Sequence, residues 1–398
     1  MKKRDAILAT ALLAIVGLAV LVTGCGSSSS DNGGTAKVFK IGYSADISDG
    51  YASCDVPYRD GLQYAIDEIN KAGGVAGMKL ELIVKDNKND AALAAQTTQQ
   101  LIGEGIQYLA GTTSDQVVAC NRLAEEKQIP SDCGVGTAPT KQTDVGEYCF
   151  QYDIMDNQQG AAMANYCYTE LGYRTAYLLE SPDSAYTANL PIYFKETYEK
   201  LGGKIVGTSD YKLGASDFSA QVTKIQNNDP KPDMIYTPMF MPDTPVFLKQ
   251  LRAAGVDIPV ASGDGCDTVD LLAAGAQALD GLIFTTHTYP VPGSATYDFN
   301  EAFTKATGHA PEGAYTALGY DAGQILKAAL EKTGGKGGKA LRDALANVSG
   351  VQILTTDSFT MDPATRNGNA QAVLVKMDGA KFTFVKQLPL PEYVPPPL

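Results

Sequence analysis

Several short stretches of this chain place polar side chains where a small charged solute could be held. Ser114 and Asp115 follow Gly111-Thr112-Thr113, where a β-prone run passes into a helix-prone one. A helix N-terminus presents unpaired N–H groups and a partial positive charge, which suits a carboxylate. Either side chain could instead cap that helix. Thr137 stands after Gly136 and before Pro139. Its hydroxyl can donate to a carboxylate and accept from an ammonium, and Gly136 would let a solute approach the backbone; an ordinary turn before Pro139 would use the same residues. Asp264, in the Gly-rich SGDG at 262–265, ends another β-prone run. It is either a carboxylate facing the solute or a turn residue. Tyr51 or Cys54, in DGYASC at 49–54, and Phe240, after Tyr236-Thr237-Pro238, could shape an apolar or aromatic pocket, or simply pack.

Other chemistry finds little support. There is no Gly-x-Ser-x-Gly elbow, no phosphate-binding loop and no His-rich metal site. The histidines are His287 and His309 alone, and no two cysteines have zinc-site spacing, so no metal and no cofactor is expected. Asp86 to Asp90 faintly resembles a calcium loop but lacks its glycine and terminal glutamate. The net charge of -13 argues against nucleic acid, whose capture needs Lys and Arg against phosphate. No enzyme is indicated.

The elements that must position these residues alternate. Strands are expected at 38–43, 79–86, 107–111 and 129–133, with helices at 58–71, 91–103 and 114–127 between them. A second run has helices at 158–171, 190–201, 218–227, 245–254 and 268–274, with strands at 175–180, 204–207, 234–237, 260–262 and 282–286. Helices at 297–307, 315–332 and 339–347 follow, then strands at 372–377 and 381–386 flanking Asp378-Gly379, a hairpin signal. Such alternation gives parallel sheets covered by helices on both faces. The strands outnumber what one sheet comfortably holds, so two sheets are expected. The chain is long enough for two domains, and 44% hydrophobic residues suffice to fill their cores.

The first residues read as a leader. Lys2, Lys3 and Arg4 precede an apolar run from Ala6 to Val22, then Thr23-Gly24-Cys25. Charge, apolar core and small residues in this order mark a signal peptide. The Cys after Thr-Gly resembles a lipobox, which implies Cys25 as the lipidated first residue of an exported protein. The other reading is an uncleaved anchor, although a run of about 17 residues is short for a span. Residues 26–36 are a flexible linker, and the proline-rich tail 388–398 is expected to be extended. After Cys25, the cysteines are 54, 120, 133, 149, 167 and 266, an even number that permits disulfides in an exported chain. Cys133 and Cys149 bracket one loop and are the expected pair; buried thiols are the alternative.

DGLQYAIDEIN at 60–70, GGV at 73–75 and GMKLEL at 77–82 form one block. It is followed in order by GTTS at 111–114, TAPT at 137–140, DSAY at 183–186, DFS at 217–219, PDMIY at 232–236, Gly281-Leu282 and YDA at 320–322. This ordered set, spanning about 38–386, resembles type I periplasmic binding proteins of the branched-chain amino acid (Leu/Ile/Val) class. The resemblance implies an α/β fold of two doubly wound lobes joined by a three-segment hinge, with a ligand cleft between them. The first lobe would be 37–153 plus 287–358, the second 154–286 plus 359–387. It also implies a monomer that captures an amino-acid-like solute by hinge closure and delivers it to an ABC permease from a lipid anchor. A ligand-sensing receptor of the same fold is the alternative. By resemblance, hydroxyls of the loop at 111–115 hold the ligand's α-carboxylate and ammonium, though Asp115 stands where the family has Ser; it either contacts an ammonium or only caps. Thr137 matches a ligand-binding Thr, Tyr186 a Tyr that packs on the ligand, and Asp264 an acidic residue, usually Glu, that pairs with the ammonium.

Overall fold

The computed structural model describes residues 37–139 and 144–398; the expected leader, Cys25 and the linker 26–36 lie outside the described residues. Strand β1 (Lys37–Ala45) is buried along most of its length, and its apolar side chains Phe39, Ile41 and Tyr43 are fully covered. Helix α1 (Ala52–Lys71) puts Leu62, Ala65, Ile66 and Ile69 on the face that covers it. Then come β2 (Met78–Asp86), α2 (Ala91–Gly103), β3 (Tyr108–Ala110), α3 (Ser114–Glu126), β4 (Ser131–Asp132) and β5 (Cys149–Phe150). Asp90 starts α2 by accepting from the Leu93 N–H. The sheet has the order β2-β1-β3-β4-β5 and is parallel throughout.

The second sheet is built from α4 (Asp156–Thr169), β6 (Thr175–Glu180), α5 (Ala185–Lys200), β7 (Lys204–Asp210), α6 (Ser219–Asn227), β8 (Met234–Tyr236), α7 (Asp243–Ala253), β9 (Val260–Ser262), α8 (Ala276–Leu279) and β10 (Ile283–Thr286). The chain then returns to the first lobe as α9 (Ala295–Thr307), α10 (Ala314–Thr333), α11 (Gly338–Ala346) and the short pair β11 (Ser349–Val351) and β12 (Phe359–Thr360). It ends in the second lobe with the hairpin β13 (Ala372–Asp378) and β14 (Lys381–Leu388). The second sheet has the order β14-β13-β10-β9-β8-β6-β7, and only the hairpin breaks its parallel run. Two α/β units with separate sheets, mostly parallel, are thus present, crossed by the chain at 151–155, 287–294 and 361–371. The first and last crossings are hydrogen-bonded together: Gln151 N–H donates to the Arg366 carbonyl at 3.0 Å and Gly368 N–H to the Gln151 carbonyl at 2.8 Å.

Several expectations shift for local reasons. Helices α1 and α5 start earlier than the expected 58 and 190, at Ala52 and Ala185, with Pro57 and Pro191 inside them. In α5 the carbonyl of Thr187, which Pro191 cannot engage, accepts from Ser181 N–H at 3.4 Å instead. The helix expected at 268–274 is a 3-10 turn, Val269–Ala274, capped by the Thr268 hydroxyl. Phe359 and Met361 pack in the first lobe's core, so the last crossing comes after 361 rather than at 359. Cys133 and Cys149 are buried with their sulfurs 3.7 Å apart, a contact rather than the roughly 2.05 Å of a disulfide. The tail lies against α4 and α5: Asn157 Nδ2 donates to the Pro395 carbonyl at 2.8 Å, and Lys200 Nζ sits 3.4 Å from the Tyr393 ring centre.

The first lobe's core is closed by α10 laid on α1 at a crossing that only glycine permits. A Cβ on Gly61 would stand 1.8 Å from the Thr316 carbonyl oxygen, and one on Gly319 would stand 1.9 Å from that of Tyr58. Gly61→Ala or Gly319→Ala should therefore cost about 1–3 kcal/mol by overpacking. The readout is a lower urea midpoint at unchanged slope. Gly103→Ala, whose Cβ would meet nothing within 4 Å, should leave the midpoint in place or raise it.

Candidate functional site

In both sheets the loops that leave the carboxyl ends of parallel strands turn toward one gap, the usual ligand position in open α/β sheets. From the first lobe come Tyr51 and Cys54 after β1, Thr113, Ser114 and Asp115 after β3, and Val135 and Thr137 after β4. The second lobe brings Ser184 and Tyr186 after β6, Phe240 after β8, and Asp264 and Gly265 after β9. Tyr315 completes the wall from the start of α10. Together they line a cavity of about 30 Å³. All the residues singled out in the sequence reach this cavity except Gly136, which is buried behind Thr137 and gives its carbonyl to Gln151 Nε2 at 3.2 Å. Thr113, Val135, Ser184, Gly265 and Tyr315 were not singled out. A larger cavity of about 190 Å³ beside the second crossing, lined by Asp267, Tyr289 and Glu312 among others, contains none of the expected residues.

Helix α3 starts at Ser114 as expected, but neither Ser114 nor Asp115 is its cap. Its cap is Thr113, in extended backbone with no side-chain cap bond, and Thr113 Oγ1 is buried with no hydrogen-bond partner. Ser114 Oγ accepts from Ala138 N–H at 3.4 Å, tying the two first-lobe loops together. Asp115 caps the opposite lobe: Oδ1 accepts the N–H of Ala185, first residue of α5, at 2.9 Å, and Oδ2 accepts from Tyr51 Oη at 3.1 Å. The carboxylate thus satisfies a second-lobe helix terminus whose own cap residue, Ser184, makes no side-chain cap bond.

Asp264 is 2% exposed; its Oδ1 accepts from Gln159 Nε2 at 2.9 Å, and its Oδ2 lies 3.2 Å from both Tyr315 Oη and His287 Nε2. His287 opens the second crossing, and its Nδ1 faces Asp153 Oδ2 of the first crossing at 3.9 Å. Burial pushes the Asp264 carboxyl up, but the His287 hydrogen bond and charge, with Gln159 and Tyr186, hold it below the usual carboxylate range. Burial pushes the His287 imidazole down, but Asp264 first, then Asp153 and Asp267, hold it above its usual value. Where His287 is protonated, the two form a buried ion pair.

Aromatic rings fill the rest. Phe240 stands 4.6 Å from the Tyr51 ring across the gap and 6.1 Å from Tyr186. Tyr186 Oη accepts from Gly265 N–H at 3.0 Å, and a Cβ on Gly263 would lie 2.3 Å from that hydroxyl, so the turn around Asp264 has to be glycine-rich for Tyr186 to lie on it. The Cys54 thiol is pushed up to about 12 by burial and the nearby Asp55 charge, which leaves it protonated and a poor nucleophile.

The ion pair sets a pH window. His287 binds its proton more tightly folded than unfolded, where it titrates near about 6.5. Its contribution is complete below that value and is lost as pH rises through the raised folded one. Asp264 contributes above the unfolded carboxyl value and loses its share as pH falls through its lowered folded one. Urea unfolding at pH 6, 7.5 and 9 should show stability falling across that range. Asp55 and Asp321, whose carboxyls burial raises to about 7, add to the fall in the same direction, so His287→Gln should reduce the fall without abolishing it and cost about 3–5 kcal/mol at pH 6 by leaving Asp264 unpaired; an unchanged slope in His287→Gln would show that His287 is not charged in the fold.

A model of the periplasmic binding protein family matches residues 38–381. The Leu/Ile/Val-binding protein BraC3 of Rhizobium johnstonii is 27% identical over 339 residues, covering 81% of this chain and 90% of that protein. The leucine-, isoleucine-, valine-, threonine- and alanine-binding protein of Pseudomonas aeruginosa is 23% identical, over 78% of this chain and 82% of that one. Among solved structures, the branched-chain amino acid transporter substrate-binding protein LivJ of Streptococcus pneumoniae, in complex with isoleucine, superimposes with a TM-score of 0.82 at 25% identity, covering 88% of this chain and 99% of that one. A solute-binding protein of an ABC transporter from R. palustris, in complex with benzoate, gives 0.80 at 22% identity, over 90% and 99%.

Proposed function

This chain belongs to the periplasmic binding protein family, and from that premise we propose that it captures an amino-acid-like solute by lobe closure and hands it to an ABC importer. The observation that carries the reading is the convergence of complementary groups from both lobes on one gap. Thr113 Oγ1, Thr137 and the start of α3 face it from one side, Asp264 and Tyr186 from the other. The first set suits a carboxylate, and the Asp264 carboxylate suits an ammonium. Tyr315 would release its hydrogen bond to Asp264 when an ammonium takes that oxygen.

A cavity of about 30 Å³ holds a water or two but no amino acid. Entry therefore requires the lobes to part about the crossings, and the solute favours closure by binding the two halves better together than apart. Among the described residues no helix is long and apolar enough to cross a membrane. The reading places the protein outside the cytoplasm, held as a monomer near its permease by acyl chains on Cys25; one chain alone binds weakly, so more than one is expected. The named relatives and the isoleucine complex favour amino acids as solutes.

A thermal-shift screen of the purified protein against the common L-amino acids tests this. At about one hundred times Kd a solute adds about 2.7 kcal/mol to stability and raises Tm. Asp264→Asn should lose at least about tenfold in affinity for the best solute, and Thr137→Val a similar factor. If no amino acid raises Tm, the reading fails. If Asp264→Asn binds the best solute unchanged, the ammonium has another partner.

A further inference from the structure

We propose that the cleft prefers a solute whose side chain is itself cationic, held by the Asp115 carboxylate beside the rings of Tyr51 and Phe240. This rests on the amino-acid reading above and adds to it the charge of the side chain.

Asp264 faces His287 at 3.2 Å, so its charge has a partner within the fold once that imidazole is protonated. The α-carboxylate and α-ammonium of an amino acid also cancel. Asp115 is what remains. Its partners, the Tyr51 hydroxyl and the Ala185 N–H, are both uncharged donors. Among the described residues, no Lys or Arg lines the cavity. A carboxylate offers about four acceptor positions, of which two are taken. As the lobes close, this anion loses water and gains no countercharge from the protein, a costly arrangement that a cation carried in by the solute offsets.

The surroundings of Asp115 point the same way. Tyr51, whose hydroxyl it holds, lies with its ring 4.6 Å from that of Phe240. Aromatic faces carry negative charge density, so an ammonium or guanidinium placed against them beside a carboxylate is attracted by both. An apolar side chain would fit the rings but leave Asp115 uncompensated, and an anionic one would meet Asp115 directly. A separate observation shows that the cavity is built for a polar guest: Thr113 is 5% exposed, lines the cavity, and its Oγ1 has no partner. A buried hydroxyl left unmatched is costly unless something else completes it. The solute's acidic end would do so, leaving Asp115 for its basic end.

Isothermal titration of L-lysine against L-norleucine, which differ by one terminal ammonium group, decides the matter, with benzoate as an anionic comparison. The purified protein should bind lysine at least about tenfold tighter than norleucine. Asp115→Asn should bring that ratio close to one, however the absolute affinities move, and Asp115→Glu should keep it above one. Melting curves of both variants check that they fold. Equal or tighter binding of norleucine, or tight binding of benzoate, overturns the preference while leaving solute capture intact. A lysine preference unaltered by Asp115→Asn overturns the assignment to Asp115. Binding of no amino acid at all overturns both this inference and the function it rests on.

Discussion

The arrangement turns on one buried ion pair. Asp264 sits at the end of a second-lobe strand and His287 at the start of the second crossing. Moving two such charges out of water is expensive, and the cost is met only where the remaining donors and acceptors are also satisfied. Here Gln159 comes from α4 and Tyr315 from α10 in the other lobe. Asp153, from the first crossing, stands 3.9 Å from Nδ1 on the far side of the imidazole, a charged neighbour that leaves Nδ1 without a hydrogen bond. The same carboxylate thus belongs to the hinge and to the cleft wall.

That sharing gives lobe closure a local meaning. Contacts between the lobes run from a donor on one side to a carboxylate on the other: Tyr315 to Asp264, Ala185 N–H to Asp115, and Ala314 N–H to Asp267 at 3.0 Å. Each is a bond that an opened molecule must give to water. Closure is then a contest between these bonds plus solute contacts on one side and hydration of the separated faces on the other. Because carboxylates hydrate strongly, the bonds alone add little net stability. A solute decides the balance by bringing charges that water would otherwise have to serve. This is differential affinity for one of two states, the physical requirement for a ligand-driven change of shape.

The sequence was legible where signals are long and local. Helix α2 and strands β6 and β9 fall on the expected limits, because the turn signals around them leave little freedom. The cleft loops were legible for the same reason: each follows a strand and carries a hydroxyl, a carboxylate or an aromatic ring. Strands β5 and β12 have two residues each and are defined by their partners rather than by their own pattern, so no periodicity announces them. Tyr315 could not be placed because it reaches the cleft from the start of α10, far along the sequence from the cleft loops of its own lobe. His287 looked like one of two isolated histidines; only the fold puts three aspartates around it. The cap of α3, expected at Ser114 or Asp115, is Thr113, since Thr, Ser and Asp in succession are all good caps and only the backbone shows which one takes the position.

The exchange at Asp115 shows why residue type alone misleads at such a loop. A carboxylate in the first turn of a helix is favourable by its own dipole, so Asp115 looks like a local stabiliser of α3. The geometry sends it elsewhere, to the N-terminus of α5 in the opposite lobe. There it fills a position that an anionic group of a solute would otherwise find attractive, because a helix N-terminus with no side-chain cap invites an anion. The protein's own carboxylate therefore closes that terminus to acidic guests and places a negative charge at the boundary between the lobes. The other helix start at the gap, that of α3, keeps its cap hydroxyl unmatched. Under the proposed preference, two similar helix termini, one occupied by the chain and one left open, would give the cleft a direction: acid toward α3 and base toward Asp115. A solute entering the wrong way round would set like charges against each other at both ends, and that repulsion, more than any single attractive contact, would orient the guest.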